Sequence, residues 1–325
     1  MGGGWGIPLS PMTLMVTVGG IVRRPALIDG ELVEREMLPR AAGERLAAQR
    51  AEVAVTPYGI VQYADRGAGS PVLVIHGVMG GFDAGLRNVG CHVPHGFRMI
   101  VPSRFGYLGS TLPGGASPAL QADAYAVLLD RIGIQRTAVI AASAGAPSAL
   151  QFAIRHGDRV TALILVSARV PGVYRVGRAL KVLAPALWRF NVVFWAAERW
   201  FPRAVLDLMG VPEGLTLTGA DRATIQAELD GIFPINERID GILFDTFTSN
   251  PDINRGYRFG DITAPTLICH GRDDPGPPYD GAAALAKQIP NARLIAWDRG
   301  GHIGLGSTPR STTRSTPCCG RPQRQ

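Results

Sequence analysis

Four short segments carry the groups that could do chemistry. Ser143 sits in Ala141-Ala142-Ser143-Ala144-Gly145, between a run that predicts a strand and a run that predicts a helix. A serine on such a hairpin adopts a strained backbone, so the residues two before and two after it must be small. Ala141 and Gly145 meet that demand, and the helix start behind the serine adds partial positive charge. Gly271-Arg272-Asp273-Asp274 offers carboxylates, and Gly300-Gly301-His302 offers an imidazole. Serine, acid and histidine in this chain order suit a nucleophile, an orienting acid and a base. His76-Gly77-Val78-Met79-Gly80-Gly81 is a glycine-rich turn that can aim a backbone N–H at a ligand oxygen. Taken singly, each segment has a plain structural explanation: a serine at a helix start, a turn, a histidine in a surface loop.

What makes them converge is the order of the elements around them. Strands are expected at 53–56, 60–64, 72–75, 98–101, 137–141, 163–166, 265–269 and 292–296. The continuous apolar run at 72–75 suits a strand buried on both faces. Ser117 and Pro118 read as N-cap and first turn of a helix ended by Gly133, and a second helix is expected over 147–156. Alternating strands and helices predict an α/β layered fold with a mainly parallel sheet; the opening two strands, joined by Pro57-Tyr58-Gly59, should be antiparallel. In a parallel sheet the loops after the strand C-termini gather on one edge. Ser143, an acid from 273–274 and His302 would then meet. The alternation breaks over 171–254, which reads as an inserted helical cap carrying Trp188, Trp195 and Trp200. The charged, alanine-rich stretch 31–52 predicts a short helix ahead of the domain.

Composition sets the outer limits. The chain has 325 residues, 46% of them hydrophobic, which is enough apolar material for a packed core. No run approaches 18 uninterrupted apolar residues, which excludes a polytopic membrane protein. The net charge of +7 is concentrated late: Arg310, Arg314, Arg321 and Arg324 follow the last acid, Asp298. Nucleic-acid binding would need basic clusters on the fold itself, so no nucleic-acid partner is expected. The 4 cysteines contain no Cys-x-x-Cys pair, so neither a disulfide framework nor a structural zinc site is expected. Residues 1–52 form an N-terminal extension whose first 22 residues are uncharged. It suits weak membrane-surface association at most, and a cytoplasmic location is expected.

The segments in this order resemble the α/β-hydrolase superfamily over roughly 53–302. Two further pieces add to the resemblance: Pro102-Ser103-Arg104-Phe105-Gly106-Tyr107-Leu108-Gly109-Ser110 looks like the family's glycine-rich loop before a serine, and Arg155-His156-Gly157-Asp158-Arg159-Val160 looks like the segment after its elbow helix. The resemblance implies an α/β-hydrolase core at 53–170 and 255–306 with the cap at 171–254. It implies Ser143 as nucleophile, His302 as base, and Asp274, rather than Asp273, as the orienting acid. Oxyanion donors would be the backbone N–H groups of Val78 and Ala144, and no cofactor or metal is required.

Carboxylic ester hydrolysis of a hydrophobic small molecule is the first expectation, with Trp188, Trp195 and Trp200 lining the acyl pocket. The alternative is cleavage of a C–C bond, amide or lactone on the same triad, or an inactive chain with an aberrant C-terminus. The chain departs from the family after its histidine, where a closing helix is usual. Residues 307–325 hold no aliphatic or aromatic side chain, so they cannot supply a helix with an apolar face and are expected to be disordered. Cutting after Gly306 should therefore leave melting temperature and hydrolase activity nearly unchanged. A drop of more than a few degrees would show that the tail packs on the domain.

Overall fold

The computed structural model describes residues 24–28, 31–35, 38–172 and 199–306. Among these residues the core is an eight-stranded sheet built from β3 (Glu52–Thr56), β4 (Gly59–Gly67), β5 (Ser70–Ile75), β6 (Phe97–Pro102), β7 (Thr137–Ala142), β8 (Val160–Val166), β9 (Thr266–Gly271) and β10 (Ala292–Trp297). Their order across the sheet is β10-β9-β8-β7-β5-β6-β4-β3. β3 and β4 pair antiparallel, β4 is antiparallel to β6, and the remaining neighbours are parallel. All eight strands expected from the apolar runs are present.

The central strands are apolar on both faces because both faces are covered. Leu73 and Ile75 of β5 join Val139, Leu163, Leu165 and Ile268 in one core, with helices α2 (Pro118–Arg131) and α3 (Ala146–Arg155) packed against it. Val72 and Val74 point the other way, into a second cluster with Val101, Ile140 and Phe82. This is the period of two that a pleated strand imposes. Ser117 caps α2 as expected: its side chain accepts a hydrogen bond from the Leu120 N–H at 3.1 Å. The last strand, β10, is an edge, and Ile295 on it is 51% exposed.

Between β8 and β9 lie helices α4 (Pro202–Leu208), α5 (Gly219–Ile232) and α6 (Ile239–Phe244), the last continued by a wider turn at Asp245–Ser249. Val205, Val211, Ile225, Leu229, Phe233 and Ile242 from this segment pack with Met79 and Tyr107 from the core loops and with Leu305. The segment therefore sits on the loops at one edge of the sheet. The short helix expected within 31–52 is present at Leu38–Ala48 (α1); ahead of it Glu31–Arg35 (β2) pairs antiparallel with Arg24–Ile28 (β1), a hairpin that the expectation did not include. The Asp29-Gly30 step between the strands is a strong hairpin signal. The expectations for residues 1–22 and 307–325, and for Trp188 and Trp195, lie outside the described residues. Among the described residues no helix is long and apolar enough to cross a membrane.

Candidate active site

Four of the five strands from β10 to β5 deliver the chemistry to one edge. β5 ends in the glycine-rich turn, β7 in Ser143, β9 in the 271–274 loop and β10 in the 300–302 loop. Ser143 occupies the left-handed region, with φ of 48°. For a residue with a Cβ this conformation costs about 1–3 kcal/mol, so the surrounding packing has to impose it. Gly145 shows how. A Cβ there would lie 2.6 Å from the His76 carbonyl oxygen, so only glycine lets the elbow settle this close to the end of β5. The Ser143 carbonyl accepts hydrogen bonds from the N–H of Ala146, in the first turn of α3, and of Arg169, at 2.9 Å in the latter case.

The three side chains form one line. His302 Nδ1 lies 2.8 Å from Asp274 Oδ2, and His302 Nε2 lies 2.9 Å from Ser143 Oγ. The carboxylate can only accept, so Nδ1 carries a hydrogen and Nε2 is left to accept from the serine hydroxyl. That is the tautomer a general base needs. Asp274 is buried, and its second oxygen accepts from the Gly276 N–H at 2.8 Å. His270, wholly buried on β9, stands behind it with Nε2 3.5 Å from Asp274 Oδ2 and 2.8 Å from the Pro277 carbonyl.

Asp273 does something else. Its two oxygens accept from the N–H groups of Gly300 (3.0 Å) and Gly301 (2.9 Å), so it clips the loop that carries His302. Gly210 of the inserted segment and Ser167, just after β8, hold the same loop from the other side. The His302 N–H donates to the Gly210 carbonyl at 2.9 Å, and Ser167 Oγ donates to the His302 carbonyl at 2.6 Å. Gly210 has φ of 72° and faces the His302 Cβ, so any side chain there would run into the imidazole. Neither Gly210 nor Ser167 is marked by its sequence surroundings.

His76 is buried and points away from proton transfer. Its Nδ1–H donates to the Gly77 carbonyl at 2.7 Å, and Nε2 accepts from the Arg104 N–H at 3.0 Å. Burial first, and the Arg104 charge second, hold its pKa well below the ordinary histidine value. Val78, 40% exposed, and buried Ala144 occupy the two positions expected to supply oxyanion donors. Trp200 is 59% exposed, just before α4.

With this geometry in place, comparison with known proteins is informative. The alpha/beta hydrolase fold family matches residues 70–308. The chain belongs to that family and is a hydrolase. A 2-hydroxy-6-oxononadienedioate/2-hydroxy-6-oxononatrienedioate hydrolase of Paraburkholderia phymatum is 28% identical over 254 residues, covering 74% of this chain and 84% of the relative. A 2-hydroxy-6-oxo-6-phenylhexa-2,4-dienoate hydrolase of Comamonas testosteroni is 27% identical, covering 75% and 85%. Among solved structures, an alpha/beta hydrolase fold protein from Nakamurella multipartita aligns with a TM-score of 0.65 at 29% identity, covering 81% of this chain and 95% of that one.

The two adjacent acids should separate cleanly. Asp274→Asn should lower kcat by about four orders of magnitude, because the imidazole loses its tautomer and orientation. Asp273→Asn should cost far less, and mainly in thermal stability, since an amide oxygen cannot accept both loop N–H groups in the same way. Steady-state kinetics and thermal melts on both variants check this, and reversed effects would move the acid by one residue.

The buried histidines add a pH signature. Burial lowers the pKa of His76 and of His270 in the folded state, below the value of about 6.5 expected in the unfolded chain. The unfolded state therefore binds more protons at acid pH. Stability should be full above about pH 6.5 and fall as pH drops through that value, by up to about 1.4 kcal/mol per pH unit for each histidine. Denaturant titrations at pH 7.5, 6.5 and 5.5 measure the slope, and a flat profile would contradict the assignment of both as neutral.

Proposed function

We propose that this chain hydrolyses a carbon–carbon bond in a small 2-hydroxy-6-oxo dienoic acid, through a serine nucleophile and an acyl-enzyme. One observation carries the choice of bond: two curated relatives, each spanning most of both chains, are named as hydrolases of 2-hydroxy-6-oxo acids. Those names contain no ester, amide or lactone. Hydrolysis beside a 6-oxo group therefore breaks the bond between C5 and the C6 carbonyl. The ester expected first from the sequence thus gives way to its alternative, for a physical reason. A Ser-His-Asp line and an oxyanion site serve any acyl transfer, and the bond broken is decided by which leaving group the substrate can stabilise.

The geometry supports the following roles. Ser143 Oγ attacks the C6 carbonyl carbon while His302 Nε2, 2.9 Å away, takes its proton. Asp274 stabilises the imidazolium through the 2.8 Å contact to Nδ1. Backbone N–H groups of Val78 and Ala144 receive the oxyanion. The tetrahedral intermediate collapses by breaking C5–C6. A carbanion is a poor leaving group unless it is delocalised, so the substrate reacts as its 2-keto tautomer, formed when the 2-hydroxyl loses its proton and C5 gains one; the electron pair left on C5 then spreads through C4 and C3 onto the C2 oxygen. The proton held by His302 passes to the departing dienolate, giving the 2-hydroxydienoate. Water, deprotonated by His302, then releases the second product as a carboxylic acid. Trp188, Trp195 and Trp200 remain the residues proposed to bind the acyl part.

The test is a matched pair of assays. A 2-hydroxy-6-oxo-hexadienoate should lose its conjugated absorbance and give one carboxylic acid and one 2-hydroxydienoate, with kcat/KM at least tenfold above that for short p-nitrophenyl esters. Ser143→Ala should abolish both activities and all labelling by a fluorophosphonate while the melting temperature is retained. Turnover of esters alone would return the function to the carboxylesterase reading. Labelling that survives in Ser143→Ala would remove the nucleophile.

A further inference from the structure

Two wholly buried arginine–aspartate pairs grip the glycine-rich turn at its two ends. Arg104 donates through Nη1 to Asp245 Oδ1 at 2.6 Å and through Nη2 to Asp245 Oδ2 at 2.5 Å, and Nη2 also donates to the Gly77 carbonyl at 3.1 Å. The Tyr107 hydroxyl donates to the same Asp245 Oδ2 at 2.5 Å. Arg238 donates to the Asp83 carboxylate at 3.0 and 2.8 Å, and to the Gly80 carbonyl. The pairs cross between layers. Arg104 and Asp83 belong to the core loops, while Asp245 and Arg238 belong to the helical segment between β8 and β9. All four side chains are fully enclosed. Desolvation opposes the Arg104 charge, and Asp245 more than offsets it, so Arg104 stays protonated.

The consequence lies in the Gly77–Val78 peptide. Its carbonyl is pinned inward by Arg104 Nη2 and by His76 Nδ1. A trans peptide points its C=O and its N–H in opposite directions. The Val78 N–H is therefore turned out of the charged network, on the side where Val78 is exposed. The Gly77 Cα lies against Ser143: a Cβ on it would stand 3.2 Å from the Ser143 Cβ. We propose that Arg104, held in place by Asp245, is a positioning residue that fixes this peptide so that the Val78 N–H faces the oxyanion formed at Ser143. The helical segment then takes part in setting the oxyanion site as well as in covering it.

A purely structural role for the pair predicts something different. Buried ion pairs are weak sources of stability, and apolar residues of similar volume replace them at little cost. What an apolar pair cannot do is donate to the Gly77 carbonyl. The proposal rests on Ser143 being the nucleophile, and the experiment keeps the two apart.

The double variant Arg104→Met with Asp245→Leu should fold, with a melting temperature within a few degrees of the parent. Its kcat should fall by about 10–100-fold, less than the ~10²–10³-fold of a deleted oxyanion donor, with KM changed less than about twofold. Affinity for an alkylboronic acid, which forms a tetrahedral adduct on the serine, should fall in proportion. Affinity for the planar carboxylic acid product should not. A folded double variant with parental kcat overturns the proposal.

Should that variant fail to fold, the parent protein itself decides. A measurement on the parent needs no variant. In ¹⁵N-labelled protein the Val78 amide proton should move downfield when the boronate adduct forms, and an unmoved Val78 amide also overturns the proposal. If a fluorophosphonate fails to label the parent at Ser143, the nucleophile assignment falls. If the parent is labelled and turns over while the double variant keeps kcat, only the positioning role falls.

Discussion

Ser143 is held with φ of 48°, a conformation that an L-residue leaves when nothing prevents it, and most of the site is arranged around that constraint. The elbow is closed from several directions at once. Gly145 sits against the end of β5, the Ser143 carbonyl is hydrogen-bonded by Arg169 and by the first turn of α3, and Gly77 lies against its Cβ. Such over-determination is how a fold keeps a strained residue. The result is a hydroxyl held 2.9 Å from the His302 imidazole.

The two arginine–aspartate pairs follow from the same need for rigidity. Burying four full charges beside the site is unfavourable by itself, and breaking either pair would leave an uncompensated charge at a cost of about 3–5 kcal/mol. Evenly packed hydrophobic residues would join the helical segment to the core at less risk. The charges do something that apolar contacts cannot: each guanidinium has donors left over after its carboxylate, and both spend one on a carbonyl of the same turn, at Gly77 and at Gly80. At Gly77 and Gly80 the turn offers no side chain by which to be held, and the arginines take hold of the backbone carbonyls instead.

How much of this could be read from the sequence depends on how local each cause is. The strands came from apolar runs a few residues long, and the Ser117 cap came from two adjacent residues; both are present as expected. The triad line was reachable because parallel strands bring their C-terminal loops to one edge whatever the loops contain. Asp274 could be preferred to Asp273 only through the family resemblance, since two adjacent acids look alike until the 300–301 amides are seen to occupy one of them. The hairpin at 24–35 was missed although Asp29-Gly30 announced it, because the charged, alanine-rich stretch beyond it suggested helix. The arginine pairs were not legible at all. Arg104 and Asp245 are 141 residues apart, Arg238 and Asp83 are 155, and nothing near any of them singles out its partner among 26 acids and 33 bases.

The bond that is broken lies further still from the sequence. The same hydroxyl, imidazole and backbone donors attack an ester carbonyl or a ketone with equal geometry, so nothing in the triad separates the two. The difference arises after attack. An oxygen leaving group carries its electron pair on an electronegative atom and needs only a proton from the imidazole, whereas a carbon leaving group departs only if its electron pair can also be delocalised. For the C–C reaction the oxyanion must therefore persist while the leaving group is protonated, which places more weight on the donors that hold it. A Val78 N–H fixed by a carbonyl pinned at 2.7 and 3.1 Å from two buried donors answers that demand, where a mobile glycine turn would let the intermediate revert. The rigid turn and the proposed chemistry thus support one another: the harder the leaving group, the more the reaction depends on an oxyanion site that is already in place when the substrate arrives.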